Sequence, residues 1–174
     1  MLGQFIIIDL EFFKSQKKTE IIQFAAKRVW LDEDNHVIDG DSFKKNVHSS
    51  KKPNEKVLNL THLTLEDWEQ AQPFPDVFDE FSKWVDEENI DTIYVSWGNR
   101  DKSVLHKELK NYGYKNFQDM SFIDLQSYIM MKDDIPYLPS LYSMVVKEFG
   151  EFEGTEHDAS ADAQNTSKLL KKYL

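Results

Sequence analysis

The apolar run Phe5-Ile6-Ile7-Ile8 ends on two acids, Asp9 and Glu11. An unbroken run of β-branched and aromatic residues reads as a buried strand, here residues 4–11. Residues two apart on a strand share a face, so Asp9 and Glu11 point one way and Leu10 the other. Two acids side by side at the end of an apolar strand repel and raise each other's pKa. A divalent cation with oxygen ligands removes that conflict. A strand that has simply reached solvent accounts for the same three residues.

Two further strands follow. Residues 20–31 carry Ile21, Ile22, Phe24, Val29 and Trp30, and residues 37–47 come after a polar turn at Asp32-Glu33-Asp34-Asn35. Short polar connections predict an antiparallel three-strand meander. The period then changes. Phe74, Val77, Phe78, Phe81, Trp84 and Val85 recur at helical spacing after Pro73 and Pro75, which suit a helix start. Residues 92–97 read as another buried strand, followed by Val104, Leu105 and Leu109 at helical spacing. Residues 122–125 predict a short strand. Residues 138–149 predict a helix capped by Gly150. Residues 158–174 predict a last helix, with Lys168, Lys171 and Lys172 in its final turns where the dipole favours cations. A meander followed by strand–helix alternation gives an α/β fold, a mixed sheet with parallel strands added and helices on both faces.

The chain has 174 residues and shows no repeat, low-complexity tract or linker, so residues 1–174 read as one domain. It has no cysteine, which removes disulfides, thiolate metal sites and Cys nucleophiles, and fits a cytoplasmic protein. The first apolar run lacks a basic leader and is too short for a signal peptide or a membrane span. A net charge of −10 argues against bulk nucleic-acid binding but not against a metal site that grips a few phosphates. Lys44, Lys45, Lys51, Lys52 and Lys56 cluster locally, as do Lys14, Lys17 and Lys18. They read as solvated loops or as a phosphate track.

Two more segments carry acids at element junctions. In His157-Asp158-Ala159-Ser160-Ala161-Asp162-Ala163, a His and an Asp straddle the start of the last helix. Asp158 or Ser160 would cap it, and Asp162 would sit in the first turn. His157 would lie in the loop before it. The small residues at 159, 161 and 163 would let the helix approach the sheet. In Ser96-Trp97-Gly98-Asn99-Arg100-Asp101, an acid follows a buried strand and opens a helix. Capping accounts for Asp101 taken alone.

Together these segments resemble the DEDD superfamily of 3′→5′ exonucleases in its His-containing branch, closest to its ERI-like and KapD-like members. The resemblance rests on Asp9-Leu10-Glu11, a middle Asp101, and His157 with Asp162 near the C-terminus. Leu60-Thr61-His62-Leu63-Thr64 is similar to the family's Leu-Thr-Gly-Ile segment, with His62 where Gly is usual. Trp97 stands where many members carry Asn.

The resemblance implies a ribonuclease-H-like fold and metal-dependent hydrolysis of phosphodiesters in single-stranded RNA or DNA. The products are nucleoside 5′-monophosphates released from the 3′ end. It implies two divalent ions, Mg²⁺ or Mn²⁺. Asp9 would bridge them, Glu11 and Asp162 would complete one site, and Asp101 would support the other. His157 would be the general base, since imidazole exchanges protons near neutral pH. For the substrate it implies Leu10, Phe12 and Phe13 beside the acids, with one ring free to stack on a base. It adds Thr61, His62 and Leu63 at the terminal nucleotide, and Trp97 and Asn99 at the cleft. The rival readings are an endonuclease of the same fold, a non-catalytic nucleic-acid-binding protein, and a small acidic interaction domain.

Overall fold

β1 (Gly3–Ser15), β2 (Lys18–Leu31) and β3 (Val37–His48) form an antiparallel meander. The computed structural model describes residues 3–15, 18–34, 36–87, 90–115 and 120–174. Lys17 and Asn35, part of the expected basic cluster and polar turn, lie outside those residues. Along β1 the side chains alternate between two cores. Ile6, Ile8 and Leu10 enter one, and Phe5 and Ile7 enter the other. A strand covered on both faces keeps an apolar residue at nearly every position, which is why its sequence is an unbroken run.

β5 (Thr92–Ser96) pairs in parallel with Gln4–Ile7 of β1, and β6 (Phe122–Asp124) pairs in parallel with β5. The two-residue β4 (Gln72–Pro73) joins the outer side of β3. The order is β4-β3-β2-β1-β5-β6, a mixed six-stranded sheet. Helices α3 (Phe74–Asp86) and α4 (Arg100–Asn111) cover one face. Helices α5 (Leu125–Lys132), α6 (Leu141–Phe149) and α7 (Ala159–Tyr173) cover the other. The expected α/β architecture is the observed one.

Aromatic rings hold the first face. Phe24 is fully buried, with ring centroids 4.7 Å from Phe81 and 5.9 Å from Phe43. Burying one such ring contributes about 1.5–3 kcal/mol. Two short helices, α1 (Glu55–Thr61) and α2 (Leu65–Glu69), cover the far part of β2 through Ile22, Leu63 and Trp68.

The sequence reading and the structure differ in particular places. β1 and β2 run further than expected, into a hairpin where Phe12, Phe13 and Thr19 are only half-buried and the burial pattern fades. The predicted strand at 122–125 stops at Asp124, whose carboxylate caps α5 by accepting the Ser127 N–H at 3.0 Å. The helix predicted from 138 starts at Leu141, after Pro139 and the Ser140 cap.

Candidate active site

The parallel pair β1 and β5 ends at one point of the sheet, and the crevice outside such carboxyl ends is where open α/β sheets bind ligands. Asp9 and Glu11 leave β1 on the face that α7 covers. β5 stops pairing at Ile7, so the edge of β1 beyond it is free to receive α4. A bulge between Glu11 and Phe12 breaks the register just past the second acid. Bulges re-aim side chains beside sites. Here Phe12 turns toward the α3–α4 core and Phe13 toward the α1–α2 cluster.

Asp101 sits in the first turn of α4, and the N-cap of that helix is Asn99, which makes no side-chain cap bond. Capping therefore does not explain Asp101. Its carboxylate leaves the helix and accepts the Leu10 N–H at 3.1 Å, which fixes α4 between the two acids of β1. Asp158 is the cap of α7, accepting the Ser160 and Ala161 N–H groups at 3.0 and 3.1 Å. Asp162 is buried in the first turn that Asp158 sets. One of its oxygens, Oδ2, accepts the His157 N–H at 3.2 Å; the other, Oδ1, is buried with no hydrogen-bond partner. His157 is exposed and holds φ 68°, a left-handed conformation that is uncommon for a residue with a Cβ. The ligand atoms of Glu11, His157 and Asp162 all lie within 4.8 Å of one another.

The electrostatics follow from this crowding. Burial raises the Asp9 carboxyl well above its ordinary value, and the charges of Asp101, Asp162 and Glu11 add to the rise. Burial also pushes Glu11 up to about 8, helped by Asp162 and Asp101. Burial raises Asp101, opposed by the Leu10 N–H and the Arg100 charge. Burial raises Asp162, opposed by the His157 N–H and reinforced by Glu156, Asp158 and Asp101. Among the described residues no lysine or arginine makes an ion pair with any of these four acids. Clustered acids with an orphaned buried oxygen are a fitting donor set for a hard divalent cation.

The residues expected at the substrate divide. Phe12, Phe13 and Asn99 line a cleft of about 390 Å³ beside the acids. His62 is exposed and lines a second cleft of about 500 Å³ next to the start of α7. Leu10 and Leu63 are buried side chains. Thr61 is buried too, its hydroxyl donating to the Val57 carbonyl at 3.0 Å. Trp97 is half-buried and packs against the α5–α7 core. Of the three small residues on α7, Ala159 and Ala163 are buried, whereas Ala161 faces Gly154. A Cβ at Gly154 would lie 2.9 Å from that of Ala161, so this loop closes on α7 only through a glycine.

Sequence reasoning missed Gln23. It pairs with Glu11 across the meander and is 3% exposed. Its amide donates to the Thr61 carbonyl at 3.3 Å and accepts the Ala159 N–H at 3.4 Å. It thus links the ends of α1 and α7 beneath the acids. A lone Gln in a strand carries no pattern that reveals partners so distant in sequence. Lys44 was read as part of a loop or track, yet it bonds Asp158 at 2.7 Å, and Lys45 bonds Glu80 at 2.6 Å.

The RNase T exonuclease family model matches residues 6–170. No curated protein matches the sequence directly. Among solved structures, the nuclease domain of 3′hExo, a DEDDh family member bound to rAMP, is 17% identical with a TM-score of 0.85, over 98% of this chain and 91% of that one. A 3′-exonuclease described for 3′-end specific recognition of histone mRNA stem-loop is 17% identical at 0.84, over 98% and 81%. Cell-death related nuclease 4 is 18% identical at 0.75, over 98% and 63%. These likenesses establish the fold.

Proposed function

Because the chain belongs to the RNase T exonuclease family, we propose that it is a 3′→5′ exonuclease of the His-containing DEDD branch. It releases nucleoside 5′-monophosphates from single-stranded RNA or DNA and works in the cytoplasm, and residues 1–174 are one catalytic domain. The observation that carries this reading is the meeting of Asp9, Glu11, Asp101 and Asp162, each raised by burial and, for all but Asp101, by its acidic neighbours. Among the described residues no helix is long and apolar enough to cross a membrane.

The family and the acid cluster together call for divalent metal ions. Asp9, Glu11, Asp101 and Asp162 would hold two divalent ions, Mg²⁺ or Mn²⁺. Bound there, they would lower the pKa of a water and offset charge on the phosphate oxygens. The chain's own residues do the rest. The Leu10 N–H holds Asp101 toward β1. The Asp158 cap and the Gln23 amide hold the start of α7, and with it Asp162. His157, tied to Asp162 through its backbone and exposed at its ring, takes the proton of the attacking water. Thr61, His62 and Leu63 border the terminal nucleotide. Of these three side chains only that of His62 is exposed.

The test is stepwise shortening of 5′-labelled single-stranded RNA and DNA from the 3′ end, with nucleoside 5′-monophosphates as the released product, in Mg²⁺ or Mn²⁺, with EDTA abolishing it. Purified protein that leaves both strands intact in Mn²⁺ would overturn the proposal. The ratio of the two rates gives the preferred sugar, which depends on contacts to the 2′-hydroxyl.

A further inference from the structure

We propose that the cleft between the far end of β1 and the start of α4 seats the single strand upstream of the bond to be cut, with Arg100 and Lys14 on its phosphates. This rests on the exonuclease reading of the acid cluster. The cleft opens where β5 has stopped covering the edge of β1, directly beyond Glu11. Phe12, Phe13, Lys14, Asn99, Arg100 and Ser103 line it, and its lining contains no acid.

That composition is unexpected on a chain of net charge −10. Arg100 and Lys14 are exposed, and neither forms an ion pair among the described residues. The Arg100 guanidinium lies 5.4 Å from the centroid of the Phe12 ring. Stacking on an aromatic face restrains a long side chain at low cost and leaves its N–H fork free for a phosphate. Aromatic rings interleaved with cations are what a sequence-tolerant single-strand groove requires. The cleft at the start of α7 lacks these properties. Its Lys44 is neutralised by Asp158 at 2.7 Å, and Glu153 adds a further acid to its wall. A phosphate chain leaving the acids therefore runs toward Arg100.

Binding is measured apart from turnover. Ca²⁺ replaces Mn²⁺ to hold the strand without turnover, and anisotropy of a 5′-fluorescein-labelled octauridylate gives Kd across a salt series. Arg100→Gln should weaken binding about tenfold, the usual cost of a lost charged hydrogen bond. Lys14→Gln should weaken it several-fold, away from any effect of Arg100 on Asp101. Each should flatten the slope of log Kd against log salt by about 0.7, the share of one phosphate on a single strand. Lys110→Gln, at the other end of α4, removes the same charge and should bind as wild type. Wild-type binding by both cleft variants, or an equal loss in Lys110→Gln, would overturn the proposal. If wild type binds octauridylate but releases no mononucleotide from RNA or DNA in Mn²⁺, the exonuclease reading falls and the cleft stands on the variants. If wild type binds neither octauridylate nor octathymidylate, both fall.

Discussion

Replacing Asp9 by alanine removes the acid whose carboxyl is raised by burial and further by the charges of Asp101, Asp162 and Glu11. The expected outcome is a loss of turnover of at least about 10³-fold, the scale of lost metal-assisted charge stabilisation. The melting temperature in EDTA should hold or rise, because one source of repulsion is gone. Parallel assays of rate and thermal unfolding check both halves. His157→Ala should lose about 10²–10⁴-fold in kcat while still binding Mn²⁺, as befits a general base. Retention of wild-type rate from pH 6 to 9 would remove that role. At this scale the acids of the site were legible because they stand at element ends, where a short-range pattern locates them. What the pattern could not settle was use. Asp101 has the sequence signature of a cap, and only its bond to the Leu10 N–H shows that its carboxylate leaves the helix. Gln23 was illegible, since its partners Thr61 and Ala159 are far away in the chain.

Helix ends decide where the site residues sit. α1 closes on His62 at φ 55°, its N–H donating to the Leu58 carbonyl. A left-handed C-cap is the position that glycine fills without strain, and it explains why glycine is usual at this place in the segment that His62 resembles. The backbone here keeps the turn and carries a side chain as well. His62→Gly should therefore stabilise the protein by about 1 kcal/mol in urea, the scale of left-handed strain at a residue with a Cβ. A destabilised variant would mean that contacts of the imidazole outweigh the strain. At the other end, Asp158 caps α7, and Lys44 bonds its second oxygen. Asp158→Ala should cost about 1 kcal/mol, typical of a lost N-cap, and should lower activity because Asp162 follows in the same turn. β1 was legible as an unbroken apolar run, α3 and α7 from their periods, and the short β6 as a short strand. The short helices α1 and α5 were not. α1 is seven residues long, too few to show a stripe, and α5 is apolar on several sides, so neither shows a 3.6-residue signal.

On the scale of the whole molecule, the acid cluster is a stability cost that a bound divalent cation would relieve. In the metal-free protein Glu11 titrates at about 8, against an ordinary value of 4.5. Asp9, Asp101 and Asp162 shift in the same direction. The folded state thus holds these protons more tightly than the unfolded chain does. Their contribution is fully present below the unfolded value and is lost as pH rises through the folded one. In EDTA the melting temperature should fall from about pH 5 to about pH 9, against the usual trend for proteins whose acids are salt-bridged. On the proposed reading, Mg²⁺ or Mn²⁺ would bind only the folded arrangement and compete with the protons. It should raise the melting temperature most at the alkaline end and flatten the profile. Thermal scans at fixed ionic strength, with and without metal, test this directly. The Asp9→Ala variant supplies the control, because it should lose most of the metal-induced shift while keeping a downward slope from Glu11, whose rise comes from burial, Asp162 and Asp101. A metal-free profile that is flat from pH 5 to 9 would mean that the four acids do not share one buried site.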